Sequence, residues 1–160
     1  MSTTTLLDAI RTVKENERIA SASYADAAQK IIKPMGKQLF EELSKFEQFH
    51  YEQLSILEAS LEEKGEFIDY KGREFPAPPI FEIVAAQEPN TKSIMSIISA
   101  AINLEKQAEK AYADLALQTT DRLGFEMFNR LSEEEHKHYR LLTSAYWTLT
   151  NLGTWTWTRP

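Results

Sequence analysis

Cysteine is absent from the 160 residues, which excludes disulfides, thiolate nucleophiles, thiolate-bound zinc and thiolate-held iron centres within this chain. Any metal held here must sit on nitrogen and oxygen donors. Long apolar runs are missing too: no segment approaches the roughly 20 consecutive apolar residues that a bilayer-spanning helix needs. There is no basic stripe. The net charge is −6 and the Lys and Arg residues are scattered among acids, so no segment offers the positive footprint that nucleic acid demands. Neither a nucleic acid nor a membrane is expected as a partner. Met1 to Leu7 is rich in Thr and lacks both the basic cluster and the apolar core of a signal peptide, so a cytoplasmic location is the expectation. The composition, 42% hydrophobic and 26% charged, suits a soluble globular protein, and 160 residues suffice for one domain around a single core.

What is present is a repeat. Shifted by 88 positions, Glu17, Ala20, Tyr24, Ala25, Asp26 and Ala28 recur as Glu105, Ala108, Tyr112, Ala113, Asp114 and Ala116. At the same offset Phe40, Leu43, Ser44, Glu47, His50, Tyr51 and Leu54 recur as Phe128, Leu131, Ser132, Glu135, His138, Tyr139 and Leu142, and Gly36 falls on Gly124. Each half therefore carries a lone Glu followed by Glu-x-x-His. Four carboxylates and two imidazoles in that order are the ligand set of di-metal carboxylate bundles.

The apolar spacing places these residues on helices. Leu6, Ile10, Val13, Glu17, Ala20, Tyr24, Ala27 and Ile31 follow the alternating four-and-three spacing of a bundle seam, with Glu17 inside it. Phe40, Leu43, Glu47, His50, Leu54 and Leu57 form a second seam, Ile94 to Leu115 a third containing Glu105, and Phe128 to Ala145 a fourth containing Glu135 and His138. The expected helices span about 5–32, 36–64, 91–118 and 121–150. Short connections near Gly36 and Gly124 imply antiparallel pairs, and residues 65–90 form a long crossover between them. The expected fold is thus all-α, a ferritin-like four-helix bundle of two repeated helix pairs. Within the crossover, Phe67 to Phe75 around Lys71-Gly72 is expected as a small hairpin and Ile80 to Gln87 as a short helix. In the tail, 151–160, Trp155 and Trp157 are expected to cover the bundle or a second subunit.

Two side chains three residues apart lie about 300° around the helix axis and about 4.5 Å along it, so Glu and His of each motif project to one side and can grip one ion. Four carboxylates facing one interior repel, and burying even one unpaired charge is costly, so protons or cations must neutralise them. No Lys or Arg occupies a seam position. Two divalent ions balance four carboxylates. Oxygen-rich ligation with one imidazole per ion fits iron first, with manganese or a mixed pair as the alternative, better than zinc or calcium. Glu47 and Glu135 are placed to bridge the ions, and Glu17 and Glu105 to hold one each. The bland reading is a buried Glu–His network without metal, and it leaves unexplained why every ligand recurs at one offset. Glu133 and His136 share the motif spacing but lie about 200° from the seam and read as surface. Tyr24 and Tyr112, seven residues after Glu17 and Glu105, lie on the same face, where a hydroxyl can bond a ligand carboxylate or act as a redox neighbour. Asp26 and Asp114 fall on the opposite side as surface or capping groups.

These residues resemble the rubrerythrin family of ferritin-like di-iron proteins, carried by Phe-x-x-Leu-x-x-x-Glu-x-x-His-x-x-x-Leu in both halves. The resemblance covers about Leu6 to Leu149 and implies two iron ions held by Glu17, Glu47, His50, Glu105, Glu135 and His138. It further implies reduction of hydrogen peroxide by two electrons from the diferrous site. Rubrerythrins with their own rubredoxin domain carry cysteines, and this chain has none, so the resemblance implies an external electron donor such as a rubredoxin-type protein. Related sites also often carry an extra carboxylate three residues after the third-helix glutamate, where this chain has Ala108. Glu109 lies about 40° from Glu105 and is the nearest substitute, although its neighbours Lys106 and Lys110 suit a surface position.

The expected function is a non-haem di-iron peroxidase, with a ferroxidase or iron-handling protein that uses oxygen as the first alternative, favoured by Ala108. A non-catalytic metal-binding or interaction module is the second. A homodimer is expected from the tryptophans.

Overall fold

The computed structural model describes residues 1–78 and 87–160, and its four helices are the four that the seams predict. The first, α1, spans Thr3–Lys30 and begins where the Ser2 side chain accepts from the Thr5 amide. It stops before Ile31, whose extended backbone leads towards Pro34. The second, α2, spans Pro34–Lys64 and starts two residues earlier than expected, because proline is pre-shaped for a first helical position and lacks only an amide that the first turn does not use. It ends at Gly65, whose φ of 69° is the left-handed conformation that glycine adopts without strain. The third, α3, spans Thr91–Gln118, and α4 spans Arg122–Leu152, capped at its start by Asp121 accepting from the Gly124 amide.

Cross-links fix the helix directions. Arg11 meets Glu58, Ser21 meets Ser44 and Lys37 meets the Ala28 carbonyl, so α1 and α2 run antiparallel. Lys106 lies over Tyr139 and Ser132 donates to the Glu109 carbonyl, so α3 and α4 do the same.

The seam residues form the interior. All those named above are buried except Leu6 and Ala108, which are half-buried. They make two apolar clusters, one around Tyr24, Leu39, Phe40, Leu43, Ile98 and Leu142, the other around Ile10, Leu54, Leu57, Tyr112, Phe128 and Leu131. On every helix the Glu or Glu-x-x-His falls between its contributions to the two clusters. A polar layer therefore crosses the middle of an otherwise apolar core. Burial of the clusters supplies the driving force, and the layer is what that driving force holds in place.

Residues 66–78 do not form the expected hairpin. They contain no strand, because their apolar side chains pack on the helices instead of pairing with each other: Phe67 meets Phe128 edge-on and the buried Phe75 stacks on Phe46. Most of the helix expected over Ile80 to Gln87 lies outside the described residues, and Gln87 itself is not helical. The tail folds back on its own bundle. Trp155 and Trp157 are buried, with Trp155 donating to Glu88 and Trp157 to the Met35 carbonyl at 2.8 Å, so of the three tryptophans only Trp147 is exposed. Among the described residues no helix is long and apolar enough to cross a membrane.

Candidate metal centre

All six sequence-predicted ligands meet in the polar layer. Glu17 comes from α1, Glu47 and His50 from α2, Glu105 from α3, and Glu135 and His138 from α4, and none is more than 3% exposed. Ligand atoms of Glu17, Glu47, His50 and Glu135 lie within 4.8 Å of one another, and so do those of Glu47, Glu105, Glu135 and His138. Glu47 and Glu135 belong to both groups, which is the arrangement of bridging ligands.

Both imidazoles turn Nδ1 inward. His50 Nδ1 lies 2.8 Å from Glu135 Oε1, 3.1 Å from Glu47 Oε2 and 3.4 Å from Glu17 Oε1. His138 Nδ1 lies 3.0 Å from Glu47, 3.5 Å from Glu135 and 3.7 Å from Glu105. The two rings sit 6.2 Å apart and nearly parallel.

The electrostatics sort the six into pairs. Burial, with the charges of Glu17 and Glu105, pushes Glu47 up to about 8, and burial with Glu105 and Glu17 raises Glu135 well above the usual carboxylate range. Burial would raise Glu17 as well, but hydrogen bonding with Glu47 and the neighbouring His50 hold it down at about 2, and Glu105 is lowered in the same way by Glu135 and His138. Burial would lower the imidazoles, yet their carboxylate neighbours raise both. Protons on Glu47, Glu135 and both histidines thus leave two imidazolium charges against the carboxylates of Glu17 and Glu105. Two divalent cations would restore the same neutrality with all four carboxylates ionised.

The residues fit such ions. Among the described residues no well-directed donor meets Glu105 Oε2 or either oxygen of Glu135, although the two carboxylates neighbour each other and His50 Nδ1 lies 2.8 Å from Glu135 Oε1. Orphaned carboxylate oxygens in a dry core call for a cation or for protons.

Tyr24 and Tyr112 are buried behind the ligands, and each bonds across the repeat. Tyr24 donates to Glu105 Oε1 at 2.7 Å, and Tyr112 donates to Glu17 Oε1 at 2.5 Å. Burial, with the facing carboxylates, raises both phenols well above their ordinary value, so they hold their protons.

One participant escapes the sequence reading. Glu134, only 2% exposed, approaches His50 Nε2 at 3.3 Å and accepts from the Tyr70 hydroxyl at 2.6 Å and the Arg73 amide at 2.7 Å. The signal was available as a break in the repeat: the 88-residue mate of Glu134 is Phe46, an aromatic where the second half has an acid. The residues read as surface from the sequence lie at the surface. His136 is half-exposed and pairs with Glu109 at 3.0 Å, which turns Glu109 away from the cluster, so Glu109 does not take the place left at Ala108. Asp26 pairs with Lys30 and Asp114 with Lys110 on the surface. Ala108 and Ala20 instead line a cavity of about 120 Å³ between α1 and α3, whose floor includes Glu17, Glu47, Glu105 and Glu135.

The fold and the site together define an all-α, four-helix bundle whose buried Glu and His groups could hold metal. No protein-family model matches the chain, and no curated protein matches it. Among solved structures it is similar to a hypothetical protein from Pyrococcus furiosus, with a TM-score of 0.71 and 20% identity over 94% of this chain and 93% of that one. At that identity the likeness shows the fold alone.

Proposed function

We propose that this chain is a ferritin-like, non-haem di-iron oxidoreductase of the rubrerythrin type, reducing hydrogen peroxide with electrons from an external donor protein. The observation that carries the reading is the sharing of Glu47 and Glu135 between two four-residue ligand groups, each completed by one Glu and one His Nδ1. Glu17, Glu47, His50, Glu105, Glu135 and His138 would hold two iron ions, which would supply two electrons to a small oxidant. The protein's own part is positioning and proton management. Glu17 and Glu105 each hold one position, and their free rotation is stopped by Tyr112 and Tyr24. The tyrosine hydroxyls keep protons within reach of the carboxylates. The cavity of about 120 Å³ beside Ala20 and Ala108 has room for a small oxidant next to the four carboxylates.

A second reading, a ferroxidase or iron-handling protein that uses oxygen, draws on one observation. Glu109 is engaged by His136, so among the described residues no carboxylate beyond Glu17, Glu47, Glu105 and Glu135 lines the cavity beside Ala108. Stopped-flow absorbance separates the two. Anaerobically iron-loaded protein is mixed with hydrogen peroxide or with oxygen while ferric absorbance is followed in the near ultraviolet. Faster oxidation by peroxide is expected; preference for oxygen selects the second reading, and stable binding with no response to either oxidant selects a non-catalytic metal-binding module.

A further inference from the structure

The repeat makes the two ligand groups nearly equivalent, but their histidines are not. We infer that the two metal positions are unequal, the one completed by His50 taking the first ion and holding it more tightly than the one completed by His138. The inference rests on the di-metal reading and deepens it.

An imidazole that ligates through Nδ1 carries its proton on Nε2, and that proton needs an acceptor. For His50 the acceptor is Glu134 Oε1, 3.3 Å from Nε2. Glu134 is itself fixed, by the Tyr70 hydroxyl and the Arg73 amide from the crossover, with Arg130 at 3.7 Å. A carboxylate in that place selects the tautomer with an inward lone pair, locks the ring and raises its basicity towards a cation. His138 has none of this. Its Nε2 is buried without a partner among the described residues, and its ring lies edge-on to Phe46 at 4.4 Å and beside Phe75 at 5.6 Å. To bind a cation through Nδ1, His138 must leave an N–H that no acceptor among the described residues receives, a cost that His50 does not meet.

The difference traces to one repeat pair and one segment. Phe46 occupies on α2 the position that Glu134 occupies on α4, and residues 66–78 bring Tyr70 and Arg73 to Glu134 while bringing Phe75 to His138. The crossover thereby makes a two-fold ligand set asymmetric. Removal of a carboxylate behind a metal-bound histidine generally weakens binding about 10–100-fold, so the two positions should differ by on the order of tenfold or more.

The test uses the whole chain and manganese(II) as probe. Crystals of protein given one equivalent of manganese(II), and separately an excess, are measured by anomalous diffraction, and calorimetry follows the same titration in solution. At one equivalent the anomalous peak beside His50 should be on the order of tenfold stronger than that beside His138, with two binding steps in solution. In Glu134→Gln, checked for folding by circular dichroism, the peaks should approach equality. Equal peaks or a stronger His138 peak in the wild-type protein would overturn the inference while leaving the di-metal reading intact, as would an unchanged preference in a folded Glu134→Gln. No peak at either position in excess manganese(II) would sink the di-metal reading and this inference with it.

Discussion

Tyr24 lies seven residues after Glu17 on the same helix, yet its hydroxyl donates to Glu105 on α3, at 2.7 Å. Tyr112 returns the bond from α3 to Glu17 on α1. The two bonds tie α1 to α3 on the side where the cavity opens, and they hold the carboxylate of each half by a phenol of the other.

Replacing either tyrosine by phenylalanine keeps the ring and removes one donor. The facing carboxylate oxygen then loses its phenol donor inside the core, at a cost of about 1–3 kcal/mol. Urea denaturation of metal-free Tyr24→Phe and Tyr112→Phe should show lower midpoints with an unchanged slope. A midpoint equal to wild type would mean that the phenols do not restrain the ligands.

The proton arrangement predicts opposite pH responses for metal-free and loaded protein. Glu47, raised from the ordinary 4.5 to about 8, keeps a proton in the folded state that the unfolded chain loses within that window, so its contribution to stability falls as pH rises. Glu135 acts in the same direction, and the raised histidines give stability that is full below their ordinary 6.5 and lost at higher pH. Glu17 and Glu105, both lowered, contribute above 4.5 and fail only as pH falls, through about 2 for Glu17. The melting temperature of chelator-treated protein should therefore drop by about 5 °C or more between pH 6 and pH 9. Cations compete with these protons, so the gain on loading should widen over the same range. A metal-free melting temperature that rises towards pH 9 would contradict the assignment.

Shared and unshared ligands should fail differently. Glu135→Ala removes a member of both groups and upsets the charge balance of both, whereas Glu17→Ala touches one. Metal analysis after dialysis should find almost no iron in Glu135→Ala and about one ion per chain in Glu17→Ala, against two in wild type. Unchanged stoichiometric uptake by Glu135→Ala would count decisively against this site.

The meeting of the six Glu and His residues was legible in the sequence because a bundle seam and a repeat constrain the same positions. Each predicted seam residue needed only the period of one helix to be placed, and the structure moves the helix ends by no more than two residues. Glu134 was hidden for a physical reason. It is one step, about 100°, from Glu135, at the edge of the seam, and what buries it is a chain segment with no period of its own. Residues 66–78 likewise carry Phe67, Tyr70 and Phe75 at spacings that a hairpin also allows. The choice between pairing with each other and packing on Phe46 and Phe128 is made by the bundle, not by local sequence.

Gly36 and Gly124 repeat because something crosses close to each helix start, but the crossing groups differ. A Cβ on Gly36 would lie 2.2 Å from Trp155 Cε2, and one on Gly124 would come within 2.7 Å of Phe67. Gly36→Ala should therefore displace the tail and cost about 1–3 kcal/mol through overpacking. Because Trp155 also donates to Glu88, which caps the amides of Ile32 and Lys33, its release should loosen the α1–α2 turn. Tryptophan emission in Gly36→Ala should shift to longer wavelength; an unshifted spectrum with a wild-type melting temperature would show that the tail accommodates the methyl group.

The cavity beside Ala108 lets access be separated from binding. Its floor is four ligand carboxylates, while Ala20, Ala108 and Ala111 contribute only methyl groups to its walls. Ala108 ligates nothing and is half-buried, so Ala108→Leu fills space that an oxidant must cross without altering a donor atom. Iron stoichiometry should stay at the wild-type value. Oxidation of the loaded protein should slow by on the order of tenfold, equivalent to about 1.4 kcal/mol on the barrier. Peroxide and oxygen should be slowed alike if both arrive through this opening, so the ratio of their rates in wild type and Ala108→Leu reports the route independently of which oxidant is preferred. Full-speed oxidation in a variant with full metal content would place the entry elsewhere on the bundle.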